Sequence, residues 1–147
     1  RILLNKRGKN FRVEHGHPNC IAGLKRPLHT IIPGMLIDKN NKATLSYGVM
    51  GGQYQSTGHS NFISNVVDLG LDIQEAMDEP RSFAIDGLLQ VEDGFSSNIY
   101  EQLQNKGHEL EYMEKPLGGS QAVWIDHDNG VLIGGSDPRK DGCALGF

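Results

Sequence analysis

Gly51 and Gly52 stand between a strand-like run, Ala43–Tyr47, and an apolar-periodic run, Ser60–Leu69. In the second run Phe62, Ile63, Val66 and Val67 fall at i, i+1, i+4 and i+5, the spacing of a one-faced helix, and Gly70 is placed to stop it. The expected unit is strand, glycine turn, helix. Two adjacent glycines let the backbone approach a partner without an intervening Cβ. Their N–H groups would lie near the positive end of a helix, where orphan donors suit an anion. That anion could be a phosphate, a carboxylate or the oxyanion of an acyl-transfer intermediate. Taken alone, the pair reads first as a tight strand-to-helix turn. It lacks the G-x-G-x-x-G spacing of a dinucleotide site and the Lys-Ser/Thr of a P-loop.

Other reactive side chains form weaker patterns. His15-Gly16-His17 with Cys20 has the flavour of a metal site, but no fourth ligand is spaced nearby. Ser120 and Ser136 sit in glycine-rich turns with no His-Asp partners in view, which argues against a serine-hydrolase triad. His29 stands at the entrance to an apolar run and reads either as a hydrogen-bond donor to a carboxylate or as a packed histidine. His59 reads as structural. Cys20 and Cys143 do not make a disulfide framework; they are two free thiols or one long-range bridge.

The elements that must position these residues follow from local patterns. Ile2–Leu4 reads as a strand interior, so a chain opening at Arg1 is expected to be a fragment or a processed piece. Asn5–Lys25 is polar and glycine-rich, an extended loop. Ile31–Ile37 reads as a buried strand with Pro33 at its start or on a bulge. Asp38–Asn41 is a turn, and Lys42–Tyr47 the returning strand. Asp72 and Glu75 form a capping-box start for a short helix that buries Ile73, Ala76 and Met77 and ends before Pro80. Phe83–Ile85 and Leu88–Val91 are short strands. A helix capped by Ser96 or Ser97 buries Ile99 and Leu103 and stops at Gly107. Glu109–Met113 is a strand. Ala122–Asp126 and Val131–Gly135 make a hairpin around Asp128-Asn129-Gly130. Asp137 begins an irregular tail. The order predicts an α+β fold, a mostly antiparallel sheet with helices on one face, in a single domain over residues 1–147.

With 147 residues, 37% hydrophobic and 22% charged, the composition is that of an ordinary globular chain with a real core. No apolar run reaches the roughly 18 residues of a membrane helix. The net charge of −4 is unevenly spread: residues 1–42 carry +7 and the remainder −11. The basic part lacks interleaved aromatics, with Phe11 alone, which argues against nucleic acid. A basic edge meeting an acidic partner surface or an anionic substrate is the simpler reading.

Five segments in order complete the reading: Ile2-Leu3-Leu4-Asn5, Lys25-Arg26-Pro27-Leu28, Gly51-Gly52, Glu75-Ala76 through Pro80-Arg81, and Ser136-Asp137-Pro138-Arg139. Together they resemble the small, C-terminal subunit of the gamma-glutamyltransferase family over essentially the whole chain. The resemblance implies the C-terminal portion of an N-terminal-nucleophile hydrolase, a four-layer αββα sandwich. It implies a precursor that cuts itself in two, and a new N-terminal threonine that attacks an amide with its own α-amine as base. That threonine would lie upstream of Arg1, and Thr30, being internal, cannot replace it, so the chain alone is expected to be inert. The partners implied are the large subunit and the N-terminal remainder of the same precursor, with a small acyl substrate, no cofactor, no metal, no nucleic acid and no membrane. Exposed strand edges would favour self-association. The compartment is not indicated.

By the same resemblance Gly51 and Gly52 match the glycine pair of the oxyanion hole. Arg7 and Asn10 stand where the family usually carries Glu or Gln and then Asp, which hold the donor's α-amino group. His29 and Thr30 stand where two serines usually grip its α-carboxylate. An Arg in place of an acid reverses the local charge. A like-charge contact near 4 Å costs about 4 kcal/mol at an effective dielectric of 20, roughly a thousandfold in affinity for an ammonium group. The expected preference is for an acyl group without that amine, such as a glutaryl-type dicarboxylate, with Arg7 meeting a carboxylate through its forked donors. The rival expectations are a non-catalytic relative that binds a carboxylate or peptide, and a phosphate-binding module built on Gly51 and Gly52.

Overall fold

The computed structural model describes residues 6–146; the expected strand at Ile2–Leu4 lies outside them. The chain divides into two compact units, residues 1–31 and residues 32–147.

Among the described residues of the first unit the regular features are a 3-10 turn, Arg7–Asn10, and a parallel bridge between Arg12 and Cys20. This agrees with the extended loop expected from its polar, glycine-rich sequence. None of its described side chains is buried.

The second unit holds the regular structure. Strand β1, Pro33–Ile37, and strand β2, Ala43–Met50, form a hairpin across Asp38–Asn41. The Asp38 carboxylate closes that turn by accepting from the Asn40 and Lys42 N–H groups, each at 2.8 Å. Helix α1, Gln55–Val67, begins five residues before the Ser60 start that its apolar spacing predicts. Its first turn, Gln55-Ser56-Thr57-Gly58-His59, has no apolar residue to signal it. Packing decides instead: Tyr54 and Phe62 are both 3% exposed, in the core with Leu45 and Val49 of β2. Gly70, at φ +71°, turns the chain so that the Leu71 N–H reaches back to the Asn65 carbonyl and the helix ends.

Helix α2, Ile73–Asp78, has the full capping box. Asp72 accepts from the Gln74 and Glu75 N–H groups, and Glu75 accepts from the Asp72 N–H. Strands β3, Ser82–Ile85, and β4, Leu88–Val91, pair antiparallel, and β5, Leu110–Tyr112, joins β4 in parallel. Helix α3, Ser97–Asn105, buries no residue fully, contrary to the expectation for Ile99 and Leu103; Ile99 is 41% exposed. Tyr100 anchors it, its hydroxyl donating to the Glu92 carbonyl at 2.8 Å and its ring lying 5.3 Å from that of Tyr112. Strands β6, Gly119–Asp126, and β7, Val131–Ser136, complete a four-stranded antiparallel sheet of order β1-β2-β6-β7.

Helices α1 and α2 cover one face of this sheet. There Leu45, Val49 and Ala122 join Tyr54, Phe62, Ile73, Ala76, Met77 and Leu117 in the core. The alternate residues of the strands, with Met35, Ile37, Met50 and Val123 among them, are exposed. Among the described residues β1 is thus an edge strand with one face exposed, rather than the buried strand its continuous apolar run suggests. Pro33 does open it, and its pairing slips between Leu36 and Ile37.

Candidate functional site

The bend at Gly51 and Gly52 joins the end of β2 to a 3-10 turn, Gly52–Tyr54, that runs directly into α1. Gly51 has φ +142° and ψ +14°, and Gly52 has φ +63°. Both lie where side chains are disfavoured. A Cβ on Gly51 would also press on the Tyr54 ring at 3.1 Å and the Gly118 Cα at 3.2 Å; one on Gly52 would meet nothing within 4 Å.

The bend's hydrogen bonds run through its carbonyls. The Tyr54 N–H donates to the Gly51 carbonyl at 3.2 Å, and the Gln55 N–H donates to that of Gly52. Among the described residues neither the Gly51 nor the Gly52 N–H has an intramolecular acceptor. Both glycines are exposed. The pair therefore presents unengaged donors at the start of a helix, where the aligned peptide dipoles favour negative charge.

A second glycine pair fixes this bend from behind. Met50 pairs with Gly119 across β2 and β6, and Gly118, at φ +68°, packs so tightly that a Cβ there would lie 2.5 Å from the Met50 carbonyl oxygen. Beneath it is a buried ionic network. The Arg81 guanidinium donates to the Leu117 carbonyl at 2.8 Å, to the Ser120 hydroxyl at 2.9 Å and to Asp137. Asp137, fully buried, also accepts from the Ser120 N–H at 2.6 Å. Arg139 forks onto Glu92, with contacts of 3.0 and 2.6 Å, and reaches the Met77 and Glu79 carbonyls. Glu92 in turn accepts from the Arg81 and Leu117 N–H groups.

Burial pushes the Asp137 carboxyl up. The N–H groups of Arg139 and Ser120 and the charge of Arg81 outweigh that, and its pKa falls below the ordinary value. Burial likewise works against the Arg139 charge, but hydrogen bonds and attraction from Glu92 and Asp137 raise its pKa. The sequence offered Arg81, Asp137 and Arg139 only as pieces of two short motifs, and it placed Asp137 in an irregular tail. Their coupling across 56 positions, and the part of Gly118 and Glu92, had no local signal. Ser120 is engaged on both its N–H and its hydroxyl in this network, with no histidine partner.

The remaining site candidates lie in the first unit. Arg7 opens the 3-10 turn and Asn10 closes it, both half-buried. The Asn10 side-chain amide donates to the Leu28 carbonyl at 2.8 Å, which brings Asn10 to the residue preceding His29. His29 is exposed and Thr30 half-buried. His17 does not point to a metal set: its Nδ1 accepts the Asn19 N–H at 2.9 Å. Among the described residues no three His, Cys, Asp or Glu side chains come together to hold a metal ion. Cys20 and Cys143 are both free thiols. His59, in the second unit, is buried; its Nδ1–H donates to the Gln55 carbonyl at 2.6 Å, and its ring lies 5.3 Å from that of Tyr47. No helix among the described residues is long and apolar enough to cross a membrane.

Comparison with known proteins places this architecture. Residues 2–147 match the family model of gamma-glutamyltranspeptidase. The glutathione hydrolase-like YwrD proenzyme of Bacillus subtilis is 34% identical over 99% of this chain, and this chain spans 29% of that relative's length. The crystal structure of cephalosporin acylase from Bacillus halodurans superposes with a TM-score of 0.83 at 39% identity, covering 93% of this chain and 26% of that one. An acivicin-inhibited gamma-glutamyltranspeptidase superposes with a TM-score of 0.83 at 30% identity, covering 95% of this chain and 81% of the matched chain. The α+β arrangement described above is accordingly the C-terminal portion of an N-terminal-nucleophile hydrolase sandwich. On these matches the chain belongs to the gamma-glutamyltranspeptidase family.

Proposed function

We propose that this chain is the C-terminal segment of an enzyme that cleaves or transfers an acyl group through an N-terminal threonine outside the segment. Gly51 and Gly52 are its oxyanion donors. As the threonine hydroxyl adds to the acyl carbonyl, negative charge develops on the carbonyl oxygen, and the two N–H groups receive it. The observation that carries this reading is the bend itself: two exposed N–H groups without acceptors, at a helix start, locked from behind by Gly118. Donors held in place before the reaction need no reorganisation when charge appears, and losing one such donor typically lowers the rate about 100- to 1,000-fold.

Arg7, Asn10, His29 and Thr30 are the acyl-recognition residues. Arg7 favours a donor lacking an α-ammonium group, a glutaryl-type rather than a γ-glutamyl acyl chain, because a cation repels the ammonium and forks onto a carboxylate. The large subunit and the N-terminal remainder of the precursor complete the enzyme, and the segment alone is inactive. The test is an activity panel on the full-length processed protein with γ-glutamyl and glutaryl anilides. Faster turnover of the glutaryl donor is expected; equal or faster turnover of the γ-glutamyl donor would remove the role given to Arg7. Turnover of neither donor would favour a non-catalytic carboxylate binder.

A further inference from the structure

The first unit poses a physical problem: it has a defined course but no described buried side chain. Among its described residues the shape is held by polar contacts, and two asparagines make the ones that reach across the loop. The Asn19 carbonyl accepts the Arg12 N–H at 2.9 Å, its own N–H donates to His17, and its side-chain amide donates to the Asn10 carbonyl. The Ile21 N–H returns to the Arg12 carbonyl at 2.9 Å. This ties residues 10–12 to residues 17–21. The Asn10 amide, donating to the Leu28 carbonyl, then clips that knot to the segment bearing His29 and Thr30.

From this we infer that Asn10 is a positioning residue: its amide holds the Leu28 carbonyl and so sets where His29 and Thr30 are presented, rather than gripping the acyl group itself. The chemistry favours this division. A side-chain amide has two N–H donors on one nitrogen and one carbonyl oxygen. One of the two Nδ2 N–H groups donates to the Leu28 carbonyl, and the Asn10 backbone carbonyl accepts from Asn19. A carboxylate at this position could accept but not donate, so it could not hold a carbonyl. The inference rests on the acyl-transfer reading above and assigns one residue of that site a distinct task.

The test compares Asn10→Leu and Asn10→Asp with the parent in the full-length processed protein. It uses γ-glutamyl and glutaryl anilides as donors, and hydrogen exchange of the peptide spanning residues 22–32 as a second readout. A net hydrogen bond of ordinary strength corresponds to about fivefold. Both variants are expected to raise KM about fivefold for both donors alike, with kcat within about twofold, and to speed exchange in that peptide. A direct contact gives a different pattern: N10D would lower KM for the ammonium-bearing donor and raise it for the glutaryl donor. That divergence, or unchanged exchange in both variants, overturns the inference. If the parent turns over neither donor, the acyl-transfer reading falls by itself. Exchange alone then decides the pin: faster exchange upholds it, and unchanged exchange removes it.

Discussion

Replacing each glycine of the bend with alanine separates backbone strain from lost chemistry, because the two positions differ in one measurable respect. Gly52→Ala places its Cβ in open space, and φ +63° lies in the left-handed region that L residues enter at a cost of roughly 1–2 kcal/mol. The bend can keep its course, and both N–H groups stay where they are. Gly51→Ala has no such outlet. Its φ of +142° belongs to no basin of an L residue, and its Cβ would be squeezed at 3.1–3.2 Å between the Tyr54 side chain and the Gly118 backbone. Gly118 cannot retreat, since it already lies against the Met50 carbonyl. The backbone must therefore rotate at residue 51, and the N–H vectors of residues 51 and 52 turn with it. If those donors stabilise an oxyanion, kcat/KM should fall about 100-fold or more in Gly51→Ala. In Gly52→Ala it should stay within about tenfold, with the strain appearing as about 1–2 kcal/mol of lost stability in urea unfolding. The assay is steady-state acyl-anilide turnover by the full-length processed protein, alongside unfolding curves for each variant. Wild-type turnover by Gly51→Ala, in protein that has processed and folded normally, would refute the role assigned to the bend.

The buried ionic network yields a pH prediction. Asp137 is held below its ordinary pKa, so it binds fewer protons folded than unfolded at mildly acidic pH. Its contribution is complete above the ordinary carboxylate value of about 3.9 and drains away as pH falls through the lower folded value. Acid unfolding of the parent should show that loss, and Asp137→Asn should flatten it while costing about 3–5 kcal/mol at neutral pH, because the Arg81 charge is left buried without its counter-ion. Asp72→Ala should cost about 1 kcal/mol in urea unfolding, since it frees the Gln74 and Glu75 N–H groups at the start of α2. Arg139→Lys should destabilise by about 2 kcal/mol or more despite keeping the charge: an ammonium cannot fork onto Glu92 while reaching the Met77 and Glu79 carbonyls. A lysine variant as stable as the parent would show that Arg139 acts only as a point charge.

Elements with a local code were legible in the sequence. The Asp38–Asn41 and Asp128–Gly130 turns, the capping box at Asp72 and Glu75, and the stops at Gly70 and Gly107 all depend on residues within a few positions of one another. The start of α1 was not legible. Gln55 through His59 has weak helix propensity, and that turn forms because Tyr54 and Phe62 are drawn into the core against β2. Ile99 misled for the converse reason. Its spacing is helical, but α3 is fastened by Tyr100 and leaves Ile99 41% exposed. The apolar run at residues 31–37 misled because continuity of apolar residues does not say how many faces are covered. In β1 Met35 and Ile37 are on the uncovered face.

The candidate site was legible only in part, and the reason lies in which atoms do the work. Backbone N–H groups are present at every residue except proline, so a sequence can mark an oxyanion donor only through the residue that frees its geometry. Gly51-Gly52 is such a mark, but it does not distinguish a donor pair from a plain turn. What supports the proposed donor role is what stands behind the bend. Gly118 closes on the Met50 carbonyl, Arg81 holds the Leu117 carbonyl and Ser120 on either side of Gly118-Gly119, and Asp137 holds the Ser120 N–H. A turn that merely reverses the chain needs no such backing. It also needs no buried charges, whose desolvation can exceed their mutual attraction. The expense of burying Arg81, Glu92, Asp137 and Arg139 together is intelligible if the position of the 118–120 backbone, and through it the bend, has to be fixed more tightly than an apolar contact would fix it. These contacts join residues far apart in the chain, Gly51 and Asp137 being 86 positions apart, and no pattern within a window of the sequence contains them.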